Sequence, residues 1–154
     1  MFHKMRRKDK QMSAEESIEI LKRGEVGILS TICENGYPYG VPLNYVYLNN
    51  SIYFHCAKDG QKLSNIKNSS KVSFCVYHDV ELLPEKFDTN YKSVILFGKA
   101  SEACEEEKYN ALVELIKKYS GDYLDKGLEY IDKAKNSAKV YKISIDHVTG
   151  KTQK

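Results

Sequence analysis

Asn35-Gly36 separates two segments that favour extended backbone, residues 26–32 and 38–47. Asn-Gly accepts the left-handed dihedrals of a two-residue hairpin turn, whose twist matches the flanking strands, so the two segments are expected to pair antiparallel. A second turn signal, Asn49-Asn50, leads into Ile52-Tyr53-Phe54. Three strands joined by two tight turns form a meander. In its second strand Val41, Leu43, Tyr45 and Tyr47 alternate against Pro42, Asn44 and Val46. Pro42 has no N–H to give to a ladder, which puts that part of the strand at an edge or a bulge. Asn44 needs a polar partner, either a backbone group or the polar rim of a ligand.

The remaining chain extends this pattern. Ser13-Ala14-Glu15-Glu16 is a capping box. It opens a helix with Ile18, Ile20 and Leu21 on its apolar side and Gly24 at its end. Residues 61–67 read as a short helix and 71–78 and 92–100 as strands. Residues 105–119 read as a helix with Ala111, Leu112, Leu115 and Ile116 on one face. Three acids, Glu105 to Glu107, stand at its positive end. Residues 122–135 are weakly helical, 139–145 alternate as a last strand, and 149–151 read as a tail. Residues 79–91, with one Pro and mixed charge, read as a long loop of the functional or interface kind. Six strands without regular β-α alternation exclude a doubly wound parallel sheet. They are expected to close as a small antiparallel barrel with flanking helices, because closure removes exposed edges. The whole chain, 1–154, is read as one mainly β domain, with residues 1–12 as a basic N-terminal arm.

Composition narrows the function. Twelve Tyr, five Phe and no Trp give an aromatic, β-leaning chain with 42% hydrophobic residues. A net charge of +3 is too small to argue for nucleic acid, and the basic residues of the arm read as solvated. No apolar run is long enough to span a bilayer. The polar, basic start lacks the hydrophobic segment of a secretory signal, so a cytoplasmic protein is expected. Cys33, Cys56, Cys75 and Cys104 show neither CxxC spacing nor a His/Cys cluster, and His3, His55, His78 and His147 are scattered. Zinc and a disulfide framework are therefore poor readings, and no metal site is expected.

The chemistry concentrates where a strand runs into a helix, over residues 51–66. The junction carries His55, Lys58, Gly60 and Lys62. A Gly-containing turn there aims backbone N–H groups and the positive end of a helix at one spot, and two lysines beside it suit a phosphate. The plain alternative is a strand–turn–helix with solvated lysines and a half-buried histidine. Cys56 adjoins His55, but neighbours on a strand face opposite ways, so Cys56 reads as core rather than as an activated nucleophile. An anion site beside a tyrosine-rich β surface matches a flat aromatic cofactor with a phosphate tail. FMN is the economical candidate.

Four stretches then acquire meaning together: Met5-Arg6-Arg7-Lys8-Asp9-Lys10; Gly36-Tyr37-Pro38-Tyr39-Gly40-Val41-Pro42-Leu43-Asn44-Tyr45; Ile52 through Lys62; and Tyr91-Lys92-Ser93-Val94 running on to Ala100, followed by a helix that closes in Lys118-Tyr119-Ser120-Gly121. In order and spacing they resemble the pyridoxamine-phosphate-oxidase-like FMN-binding split barrels, and within them the nitroimidazole-resistance branch. The resemblance implies a homodimer of six-stranded antiparallel split barrels with FMN at the subunit interface. It implies that Pro42, Leu43 and Asn44 hold the edge of the flavin ring, and that His55, Cys56 and Ala57 lie along the ring and ribityl chain. Lys58, Gly60, Gln61 and Lys62 would bind the phosphate. Tyr91, Lys92, Ser93 and Val94 would approach from the partner subunit, and Arg6 or Arg7 would reach the phosphate or the partner. His55 is the implied contact for a nitro substrate.

The longer C-terminal arginine pattern of the oxidases acting on pyridoxamine phosphate is absent, which speaks against vitamin B6 oxidation. The expected function is an FMN-dependent oxidoreductase passing electrons from a reduced nicotinamide or another donor to a small nitroaromatic acceptor. The alternative is a non-catalytic flavin or haem binder, with His55 or His78 as an axial ligand.

Overall fold

The computed structural model describes residues 1–154. Its strands are β1 (Gly27–Ile32), β2 (Pro38–Leu43), β3 (Val46–Leu48), β4 (Ser51–Cys56), β5 (Lys71–Leu83), β6 (Asp88–Glu102) and β7 (Lys139–Gln153). Its helices are α1 (Ala14–Arg23), α2 (Gln61–Asn68), α3 (Glu105–Ser120) and α4 (Leu124–Ala134). The strands form one antiparallel sheet in the order β2-β1-β5-β6-β7-β4-β3. The two edge strands are consecutive in the chain and joined only by Asn44 and Tyr45. Three virtual bonds hold the Leu43 and Val46 Cα atoms within about 11 Å of each other, so the sheet has curled until its edges adjoin. This is the split barrel.

The count of strands is seven rather than six, because the segment expected at 38–47 breaks at Asn44-Tyr45. There the backbone of Tyr45 turns from the ladder to the Tyr119 hydroxyl, which accepts from the Tyr45 N–H at 3.0 Å. The long loop expected at 79–91 is instead a hairpin. β5 and β6 pair out to Leu83↔Asp88, with one irregularity between His78 and Glu81. A short helical turn at Pro84–Lys86 reverses the chain. The ribbon stands clear of the barrel and exposes Val80, Leu82 and Phe87, so neither face carries the alternation that marks a strand. The tail expected at 149–151 continues β7, paired with β6 as far as Tyr91↔Gln153.

Inward residues of the strands fill the barrel. Leu29, Ile52, Phe54, Phe74, Val76, Val94, Leu96 and Ile143 are fully buried, each contributing roughly 1.5–3 kcal/mol of apolar burial. α1 plugs one end with Ile20 and Leu21. Its cap is as expected: Ser13 Oγ accepts from the Glu16 N–H at 3.1 Å, and Gly24 N–H closes on Ile20 O at 2.9 Å. Outside the barrel, α3 covers β3, β4 and β7 through Val46, Tyr53, Ala111, Leu115 and Val140. At the register shift between Phe97 and Gly98, β6 passes so close to β7 that a Cβ on Gly98 would stand 2.3 Å from Ser144 O. The outer face of β1, β5 and β6 has no helix over it. Ile32, Tyr77, Ile95 and Phe97 are exposed there. No helix is long and apolar enough to cross a membrane.

Candidate flavin site

β4 delivers the strand–helix junction. Its alternation puts Ile52, Phe54 and Cys56 in the barrel core and His55 on the exposed outer side. His55 and Cys56 thus face opposite ways. Burial pushes the Cys56 thiol up, and what this residue offers a ligand is its main chain. Dense protein beneath His55, with the charge of Lys62 adding to it, holds the imidazole below its ordinary pKa of 6.5. His55 is therefore neutral at pH 7.

After Cys56 the chain turns through exposed Ala57, Lys58 and Asp59 to Gly60, whose φ of 146° suits only glycine. α2 begins at once. No side chain caps it and no acid stands within its first turn, so its leading N–H groups face outward beside Lys58 and Lys62. Asp59, just before the cap, is the one opposing charge in the turn. The helix is anchored from behind. Asn65 Nδ2 donates to Thr31 Oγ1 at 2.9 Å, both residues being buried, and Gln61 Nε2 donates to Asn65 Oδ1 at 2.9 Å. The Gln61 amide nitrogen thus orients Asn65, whose bond to Thr31 holds α2 against the end of β1. Asn65 and Thr31 were not singled out from sequence; the spacing of Gln61 and Asn65 by four residues was the available signal.

Pro42, Leu43 and Asn44 lie at the opposite end of β1, where Leu43 pairs with Gly27. Pro42 is exposed on an edge strand, as its missing N–H requires. Asn44 Nδ2 donates to Glu25 O at 3.0 Å, the backbone alternative among its two expected partners. Tyr45 beside it is the fixed point of the joint. Its hydroxyl donates to Leu21 O at 2.6 Å, its carbonyl accepts from Lys118 Nζ at 3.0 Å, and the Tyr119 hydroxyl lies 2.8 Å from Glu25 O. Burial pushes the Tyr45 phenol far up and brings Lys118 down to about 8. Tyr45, Lys118 and Tyr119 escaped the functional reading of the sequence, although all three fall in the stretches that carried the resemblance.

On β6 the four partner-facing candidates divide by alternation. Val94 is fully buried in the core. Lys92 lies opposite His78 and stands 3.8 Å from Asp79, whose carboxylate also meets His78 Nδ1 at 2.7 Å and Arg23 at 3.3 Å. Tyr91 and Ser93 share the outer side, and Lys151 Nζ donates to the Tyr91 hydroxyl at 2.8 Å. Val94 is level with Val76, at the Gly27 end of β1. The lysine turn sits at the Thr31 end, roughly 13 Å along the strand. One chain therefore does not gather all the candidate residues about one point. All four cysteines are unpaired, and no group of three His, Cys, Asp or Glu side chains could hold a metal ion.

A curled antiparallel sheet whose edges meet at a Pro-Leu-Asn-Tyr joint, with an uncapped helix packed at the far end of β1, defines the split-barrel class. Within it, residues 13–152 match the family model for pyridoxamine 5'-phosphate oxidase, and the chain belongs to that family. No curated protein sequence matches the chain. Among solved structures it is similar to a candidate 5-nitroimidazole antibiotic resistance protein of Bacteroides thetaiotaomicron. That match has 24% identity and a TM-score of 0.79 over 92% of this chain and 86% of that one. A conserved hypothetical protein of Mycobacterium tuberculosis superposes with a TM-score of 0.83 at 21% identity, over 97% and 90%. A FAD-binding protein of Mesorhizobium loti does so with 0.66 at 22%, over 94% and 98%. At such identities the likeness is one of fold.

Proposed function

We propose that this protein is an FMN-binding oxidoreductase that reduces a small nitroaromatic or related acceptor. The observation that carries the reading is the start of α2. Uncapped amides, the φ of Gly60 and two lysines form an anion cradle beside the Thr31 end of β1, and Pro42, Leu43 and Asn44 lie beside its Gly27 end. Family membership and a flavin-binding structural neighbour support a flavin there. Lys58, Lys62 and the first amides of α2 hold the phosphate, the backbone at Cys56 and Ala57 follows the ribityl chain, and the 42–44 edge meets the ring. Bound FMN supplies two-electron transfer. His55, neutral at pH 7, offers its N–H to the acceptor's oxygen.

The reading includes a homodimer. The exposed apolar face of β1, β5 and β6 and the bare tip of the β5–β6 hairpin are the surfaces a second copy covers. That copy brings Tyr91 and Ser93 toward the first copy's flavin. Free thiols throughout agree with a reducing, cytoplasmic setting.

The test is the visible absorption spectrum of the purified protein, before and after addition of FMN and desalting. Two flavin bands near one cofactor per chain, bleached anaerobically by a reduced nicotinamide, are expected. Flavin that binds but is never reduced makes the protein a carrier. No flavin band after reconstitution, or a haem Soret band, overturns the assignment.

A further inference from the structure

The outer side of β6 and β7 carries a cavity of which the proposed flavin contacts use only Ser93. Ser93 pairs with Lys151 and Ile95 with Thr149 across the two strands, so all four side chains share one face. The N-terminal arm folds back over them. Gln11 bridges to Lys151, Met12 N–H donates to Gly150 O at 2.8 Å, and the side chains of Lys10 and Gln153 bond to each other. At the far end of the arm, Phe2 stacks on His147 (4.7 Å, 6°) and on Phe97 (5.3 Å). Between these two fastenings the arm places Met5 and Arg6 beside the strands, and together they line an open cavity of about 240 Å³.

Its charge is one-sided. No Asp or Glu lines it. Arg7, at one margin, is neutralised by Asp9 at 2.8 Å, whereas Arg6 and Lys151 have no carboxylate partner. Lys151 is oriented by the Tyr91 hydroxyl, and its ammonium lies 5.1 Å from the centre of that ring. Two free cations, the hydroxyls of Ser93 and Thr149, and apolar walls from Met5 and Ile95 suit a molecule with an anionic head and a short apolar body. A dry cavity of about 150 Å³ takes a benzene ring, so this one has room for a substituted ring or a short acid. The lysine turn of α2 lies at the other end of the barrel and is a separate anion site.

We propose that Arg6, Lys151 and Ser93 form a second anion-binding site, which takes a small organic acid through its carboxylate or phosphate. Ser93 belongs to both this cavity and the set that approaches the flavin across the dimer. The cavity is therefore where an anionic acceptor docks, a role that rests on the flavoprotein reading; anion binding itself does not.

The experiment is calorimetric titration of FMN-loaded protein with benzoate and, separately, with inorganic phosphate. Wild type is compared with Arg6→Ala and Lys151→Ala, and folding is checked by circular dichroism and thermal melting. The expected result is one saturable site per chain, preferring one of the two head groups, weakened by salt, and at least tenfold weaker in each variant with flavin occupancy kept. Absence of a saturable site for either anion, or affinities unchanged in both variants, overturns the proposal. Loss of flavin together with the anion also overturns it: the cavity is then the flavin's own phosphate cradle, and the flavoprotein reading stands. A wild type that takes up no flavin overturns that reading instead, and the phosphate titration of the same protein still decides the cavity.

Discussion

Lys118 Nζ lies 3.0 Å from the carbonyl oxygen of Tyr45 and 3.9 Å from the centroid of its ring. α3 thus delivers a half-buried ammonium to the joint where the two barrel edges meet. Burial is the larger influence and lowers its pKa from 10.5 to about 8, against the smaller opposing pull of Glu25. A lysine depressed in the fold binds fewer protons folded than unfolded between those two values. Its burial cost is complete below pH 8 and is relieved as the pH rises toward 10.5. Discounted for partial solvent access, the relief is about 1 kcal/mol. Lys118→Met keeps the aliphatic stem and removes the titration. Urea unfolding at about pH 7.5 and about pH 10 should show wild type gaining about 1 kcal/mol relative to the variant. A gap that stays constant across that range refutes the role of burial.

That joint also shows where the sequence stops being legible. The hairpin at Asn35-Gly36, the capping box at Ser13 and the barrel core were readable, because each depends on neighbours in sequence or on period-two alternation. The break at Tyr45 was not. It comes from Tyr119, 74 residues away, which takes the backbone N–H that a ladder would have used. The β5–β6 ribbon was hidden for a different reason: it has no core face, so nothing distinguishes its two sides. Within the candidate site, the turn at Gly60 was legible through its residue types. The buried bond from Asn65 to Thr31 that aims α2 was invisible, since neither residue type advertises a partner.

The lysine turn should be separable from the fold. Lys58 is exposed and Lys62 half-buried, and neither has a carboxylate partner. Lys58→Ala combined with Lys62→Ala should weaken FMN by about 100-fold, two charge-assisted bonds at roughly 1.5 kcal/mol each. The melting temperature should hardly move. Gly60→Ala adds a control of another kind. A Cβ there meets nothing within 4 Å, so its cost is backbone strain at φ 146°, on the order of 1–3 kcal/mol, and it misdirects the same amides. Flavin fluorescence titration reads all three substitutions. Full FMN occupancy in the double variant removes the phosphate from this turn.

His55 should act on the acceptor and not on the cofactor's retention. His55→Ala is expected to keep FMN and to slow acceptor reduction by about 100-fold, the lower end for loss of a positioned hydrogen-bonding acid or base. Burial and Lys62 lower the histidine pKa, so the wild-type rate should change only on the acid side of pH 6.5, and the variant should lack that limb. Unchanged turnover and an unchanged pH profile make His55 an ordinary strand residue.

The last prediction links assembly to the cofactor. Ile95 and Phe97 stand exposed on the outer face of β6, two and four residues beyond Ser93 on the same side of the strand. Interfaces of this kind are apolar at their centre and tolerate a charge there poorly. Tyr77→Glu, at an exposed position on the same face and outside the cavity under the arm, should therefore yield a folded monomer in analytical ultracentrifugation, because the side chain leaves the barrel core untouched. Ser93 and Tyr91 lie roughly 16 and roughly 23 Å along the strands from the lysine turn of their own chain. They can serve a flavin held at that turn only across a dimer. The monomer should accordingly lose FMN even though Lys58, Gly60 and Lys62 are intact. Circular dichroism of the variant separates this from unfolding. A monomeric variant that binds FMN with wild-type affinity would show that each chain holds its cofactor alone, and would assign Tyr91 and Ser93 to the anion cavity under the arm.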